Sequence, residues 1–170
     1  MHLIEPCCAP KHLLELRGRL GEKGTLLWHG HGDLSLAELL PALLVRYCET
    51  EMLIAAPSLT ADATEAIVKA LSGTRAKMDG TGNLDVIKHL TIVTDLRKRK
   101  SPAASAWLSD NPYGERLDLR NRQQNDTAII LPDIALVGNI NLSYGGHFTA
   151  VATTNAKLIG ELKKNYEELV

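Results

Sequence analysis

The sequence predicts an α/β fold, a single domain with a mixed β-sheet flanked by helices, and three observations carry that expectation. Short, nearly continuous apolar runs recur, as in Met52-Leu53-Ile54-Ala55-Ala56 and Leu90-Thr91-Ile92-Val93, which is how strands buried on both faces read. Segments with helical spacing alternate with these runs, and the 170 residues suit one domain by the usual prior of about 100 to 200. Hydrophobic residues are 45 % and charged residues 23 %, ordinary for a packed domain. Aromatics are only 4 %, so Leu, Ile, Val and Ala must build the core.

The elements follow in chain order. Leu13, Leu14, Leu16 and Leu20 have helix-compatible spacing and Gly21 stops them, so residues 1–23 read as an N-terminal arm and helix ahead of a domain over 24–170. Gly24 to His29 reads as a first strand, on the brief apolar run Thr25-Leu26-Leu27-Trp28. The Gly-rich His29-Gly-His-Gly-Asp33 turn leads to the capping box Ser35-Leu-Ala-Glu38 and a helix to about Glu49, in which Pro41 should make a kink. Glu51 to Pro57 is a second strand, and Thr60 with Asp62 opens a helix ending near Gly73. Residues 74–88 read as an excursion before a third strand over His89 to Asp95. Ser101 to Ser109 reads as helical and Asn111-Pro-Tyr-Gly114 as a turn. Arg116 to Arg120 alternates like a less buried strand. Thr127 to Leu131, Ile134 to Asn139 and Phe148 to Thr153 are further strands. Ala156 to Leu169 closes the series as an amphipathic helix with Leu158, Ile159, Leu162, Tyr166 and Leu169 inward.

Charge and composition exclude several classes. Nineteen basic against twenty acidic side chains leave a net charge of −1, so the global field of a strong DNA or membrane binder is missing and any polyanion site must be a local patch. No apolar run is long enough to span a bilayer, and the start lacks a signal peptide's basic and apolar regions. A soluble cytoplasmic protein without membrane contact is expected. The three cysteines, Cys7, Cys8 and Cys48, lack the spacing of a disulfide framework.

Two clusters carry candidate chemistry. His29, His31 and Asp33 place two imidazoles and a carboxylate at a strand end, a partial ligand set for a divalent metal, though Gly30 and Gly32 fit a plain strand-to-helix turn as well. Arg97, Lys98, Arg99 and Lys100 follow the third strand, and Arg116, Arg120 and Arg122 come from the next strand region. Together they can form one basic face for phosphates, the competing reading being a solvated loop. The common phosphate-loop, nucleophile-elbow and zinc-protease motifs are absent, and no cofactor is implied.

The stretch Asn125-Asp-Thr-Ala-Ile-Ile-Leu-Pro-Asp133-Ile-Ala-Leu-Val-Gly138-Asn-Ile-Asn141 resembles the active-site stretch of the phospholipase D-like superfamily, His-x-Lys, four residues, Asp, a hairpin, then Gly-Ser-x-Asn. The order of elements over about residues 24–170 is also similar, as are Gly32-Asp-Leu-Ser-Leu36 and Ala55-Ala-Pro-Ser58 to phage and mobile-element members. Under the resemblance the nucleophilic His position holds Asp126 and the Lys position Ala128, while Asp133 is kept; the Ser position is Asn139 and the Asn position is Asn141. The family's His attacks phosphorus, so a carboxylate at 126 and a methyl at 128 remove both the nucleophile and a phosphate-binding charge. Asp126, Asp133, Asn139, Asn141 and the nearby His147 are then a vestigial pocket. The expectation is a non-catalytic module, a homodimer as single-motif members pair, that binds nucleic acid or a phosphorylated ligand through its basic loop. The rival is a divergent phosphodiesterase or other hydrolase rebuilt on Asp126, Asp133 and His147, or on His29 and His31 with a metal.

Overall fold

The computed structural model describes residues 18, 20–21, 24–30, 50–61, 63–64, 67, 71, 87–95, 97, 110–111, 113–139 and 148–168; at 28–30, 50, 87 and 148 only the backbone is described. Among these residues seven strands form one sheet: β1 (Thr25–Gly30), β2 (Thr50–Ala56), β3 (Ile87–Thr94), β4 (Leu117–Asn121), β5 (Thr127–Ile130), β6 (Ala135–Asn139) and β7 (Phe148–Thr153). Their spatial order is β1-β7-β6-β5-β2-β3-β4. β3 lies parallel to both β2 and β4, whereas β2–β5, β5–β6, β6–β7 and β7–β1 are antiparallel. Hence β1, β2, β3, β4 and β6 run one way and β5 and β7 the other. A mixed sheet results, as its apolar runs predict.

The helix α1 (Ala156–Glu168) packs on one face. Asn155 caps it, its Oδ1 accepting the amides of Lys157 and Leu158 at 3.1 and 3.2 Å. Ile159, Leu162 and Tyr166 turn inward onto Leu53, Ala55, Val93, Ala128, Ile130 and Ala135. Leu158, expected inward, is 40 % exposed, because the contact stripe follows the i, i+3, i+7 line through Ile159 and leaves its neighbour to one side.

On the opposite face Ile54, Ile92, Ile129 and Leu136 are buried as completely as the residues under α1. Strand β2 is therefore apolar at every position from Met52 to Ala56, with no alternation to read. Ala61, Ala63, Thr64, Ile67 and Leu71 are helical, and Thr60 Oγ1 accepts the Ala63 amide at 3.2 Å, the cap the sequence signals. Leu20, placed ahead of the domain by its sequence, is 1 % exposed and belongs to the buried interior. The helices expected at 35–49 and 101–109, and all three cysteines, lie outside the described residues. What the described residues establish is the α/β sheet with α1 on one face; the flanking helices of the other face remain an expectation.

Two turns follow from special backbone. Asn111 takes a positive φ of 29° and its carbonyl accepts the Gly114 amide at 3.1 Å, opening the 3-10 turn Gly114–Arg116 that feeds β4. The β5–β6 hairpin closes with the Leu131 amide on the Ile134 carbonyl at 2.9 Å.

Candidate functional site at the carboxyl edge of the sheet

Because five strands run the same way, one edge collects the carboxyl ends of β1, β2, β3, β4 and β6 with the amino ends of β5 and β7. In open α/β sheets this is the edge that holds ligands. Most of the described candidates are there. His29 ends β1, Arg97 follows β3, Arg120 and Arg122 lie at the end of β4, Asp126 precedes β5 and Asn139 ends β6. The Thr127–Gly138 pair leads, one register step on, to Asp126 opposite Asn139.

Asp133 is not among them. It lies in the β5–β6 turn at the other edge, a strand's length away, about 13 Å for four residues at ~3.3 Å each. Register is the reason: β5 carries the chain from one edge to the other between Asp126 and Asp133. The vestigial pocket thus does not gather all its members. Asn141 and His147 lie outside the described residues, as do His31, Asp33, Lys98, Arg99 and Lys100. Among the described residues no three His, Cys, Asp or Glu side chains are grouped to hold a metal.

The basic side chains are engaged. Asp95, 6 % exposed, accepts the Arg97 amide and Nε on Oδ1, both at 3.0 Å, and Nη2 on Oδ2 at 3.2 Å. This charge-assisted fork orients the Arg97 stem, and the Asp95 hydrogen bond and charge push the guanidinium further toward its protonated form. Most of the Arg97 side chain still faces water, at 71 % exposure. Arg120 Nε donates to Asp118 at 2.8 Å and its Nη1 to the Glu167 carbonyl at 3.0 Å, while Arg122 Nη1 reaches the Asn165 carbonyl at 3.4 Å. Two arginines read as phosphate binders therefore also close the last turn of α1, where unpaired carbonyls favour cations.

Sequence reasoning missed three partners here. Tyr166 Oη donates to Asp126 Oδ2 at 2.8 Å, so the carboxylate in the family's nucleophile position holds down α1. Thr94 Oγ1 and Gln124 Nε2 are buried and have no hydrogen-bond partner among the described residues, the kind of polar group a ligand or water satisfies. Only Tyr166 left a signal, its place in the helical stripe; Thr94 and Gln124 became significant through burial alone.

Burial first, then the hydrogen bond and charge of Asp126, push the Tyr166 phenol above its ordinary value near 10, with Arg122 opposing. The unfolded chain therefore releases this proton before the folded one. The stabilisation is whole below about pH 10 and is lost as pH rises through the folded value. Tyr166→Phe should lower stability by about 1 kcal/mol at neutral pH and flatten the decline above pH 10, both read by denaturant titration. An unchanged alkaline decline would show that other groups cause it.

With that geometry in view, comparison with known proteins places the fold. No family model matches the chain, and no curated protein compared with it matches either. Solved structures are similar to the chain, two of them as follows. TrmBL2, an archaeal chromatin protein whose structure shows a novel mode of DNA binding, superposes with a TM-score of 0.51 at 18 % identity over 93 % of this chain and 57 % of its own. Polyphosphate kinase from Porphyromonas gingivalis superposes with a TM-score of 0.58 at 14 % identity over 99 % of this chain and 30 % of its own. The chain thus spans less than two thirds of either protein. At these identities the likeness is one of fold alone.

Proposed function

We propose that this chain is a non-catalytic phospholipase D-like module that binds nucleic acid or a phosphorylated ligand at the carboxyl edge of its sheet. The observation that carries the reading is that Arg97 and Arg122 leave the ends of the adjacent strands β3 and β4, where the Arg122 amide bonds the Thr94 carbonyl at 2.9 Å, and that Thr94 and Gln124 at the same strand ends bury side-chain polar atoms unpartnered among the described residues. Exposed guanidinium and unsatisfied polar groups at one edge suit phosphate oxygens. The DNA-binding and polyphosphate-handling names of the two similar structures agree with that chemistry. Arg97 supplies exposed charge, and Arg120 and Arg122 brace the end of α1. Pairing of two copies, with a shared phosphate surface, belongs to the same reading.

The test is retention on heparin or DNA resin. At roughly 50 mM salt, where screening is weak, the protein should be held and should elute steeply with salt. Replacing Arg97, Lys98, Arg99 and Lys100 by Ser should abolish retention, with a stability loss confined to Arg97, whose fork onto the buried Asp95 is removed, and a folded far-UV CD spectrum retained. Flow-through of the unaltered protein would sink the reading. Hydrolysis of bis(p-nitrophenyl) phosphate that vanishes in Asp126→Ala would replace it with the hydrolase, since Asp126 here accepts a phenol proton and has no imidazole's reach as a base.

A further inference from the structure

A second site lies away from the carboxyl edge. Between α1 and the amino ends of β2 and β3 is a cleft of about 320 Å³, within the lower range of small-molecule sites. Its floor is apolar, with Leu53, Ile130 and Ile159. Its wall is polar in a particular way. Glu51 and His89 are register partners on adjacent strands, and Thr91 lies two residues along β3 on the same face. Neighbours of this kind are about 5 to 7 Å apart.

All three offer acceptors. His89 Nδ1 is 2.9 Å from the Glu115 carbonyl, which can only accept, so Nδ1 carries the proton and Nε2 of the neutral ring keeps a lone pair. Thr91 is 4 % exposed and belongs to the cleft's lining. Lys163 is the cleft's one cation among the described lining residues, and it sits 3.3 Å from Glu51 and 3.9 Å from Glu167, so its charge is already met. Two carboxylates against one ammonium leave the lining at −1. We infer that this cleft binds a primary ammonium with a short apolar body, its three N–H donors on Glu51, His89 Nε2 and Thr91 and its carbon chain on Leu53, Ile130 and Ile159. An anion would meet two carboxylates and find the one cation, Lys163, already paired with both, and a neutral alcohol brings one donor where three are wanted.

This inference is independent of the phosphate site, because the two lie at opposite edges of the sheet. The test uses the whole chain and three isosteric probes, pentylamine, 1-pentanol and pentanoate, followed by NMR of the His89 ring and the Thr91 methyl. Pentylammonium should shift both signals saturably, 1-pentanol should bind about tenfold more weakly, and pentanoate should leave them unmoved. Glu51→Gln should weaken pentylammonium about tenfold, with the rest of the spectrum showing an intact fold. Lys163→Ala, by removing the competing ammonium, should tighten it several-fold. Equal binding of the three probes, no saturable shift by about 20 mM, or loss of binding in Lys163→Ala would each overturn the assignment.

Discussion

Gly138→Ala should lower stability by about 3 kcal/mol and the melting temperature by roughly 6 to 12 °C. A Cβ at Gly138 would run into the Thr149 carbonyl oxygen and stand 2.8 Å from Ala150 Cα. Both obstacles are backbone of the neighbouring strand β7, so no side chain can rotate away. To admit the methyl, the β6–β7 ladder has to part near its Gly138–Ala150 pair. Differential scanning calorimetry measures the change. A loss below about 0.5 kcal/mol would mean that β6 and β7 are not so closely apposed. In its sequence setting Gly138 resembles the family's motif glycine; its place in the sheet supplies a packing reason that holds whether or not any chemistry survives.

Ile54→Ala should cost a comparable 3 to 4 kcal/mol, within the usual span for a fully buried isoleucine. Ile54 is 0 % exposed in β2, which is hydrogen-bonded on both sides, to β5 and to β3. Rigid strands on either side limit collapse into the vacated space, and the cavity term adds to the lost transfer energy. Leu27→Ala is the control. Leu27 is 55 % exposed on the edge strand β1, and its truncation should cost only about 0.5 kcal/mol. Urea titration of both variants, with unchanged slopes, separates a deep sheet centre from a tolerant edge. Similar losses in the two would contradict the strand order.

The central strands were legible because burial on both faces demands uninterrupted apolar runs, and β2, β3 and β5 carry them, while β7 alternates between buried Ala150 and Ala152 and exposed Thr149 and Val151. Strand β4 was legible for the opposite reason. Its alternation places Asp118 and Arg120 on the face of α1 and Leu117 on the apolar side. The basic residues were visible as charge, but not as partners. Nothing local distinguishes an arginine that meets phosphate from one that closes a helix, since both need only a guanidinium near clustered oxygens.

By itself the sequence determined the class of fold and the bounds of its main strands and of α1, all of which depend on residue type and short-range period. Tertiary structure decided which residues meet. Strand order and direction brought Arg97, Arg122 and Asp126 to one edge and sent Asp133 to the other. The path of α1 across the sheet joined Tyr166 to Asp126, 40 residues apart in the chain, and opened the cleft that pairs Lys163 with Glu51, 112 residues apart. Such contacts depend on how the sheet is ordered, and many orders can satisfy the same apolar pattern.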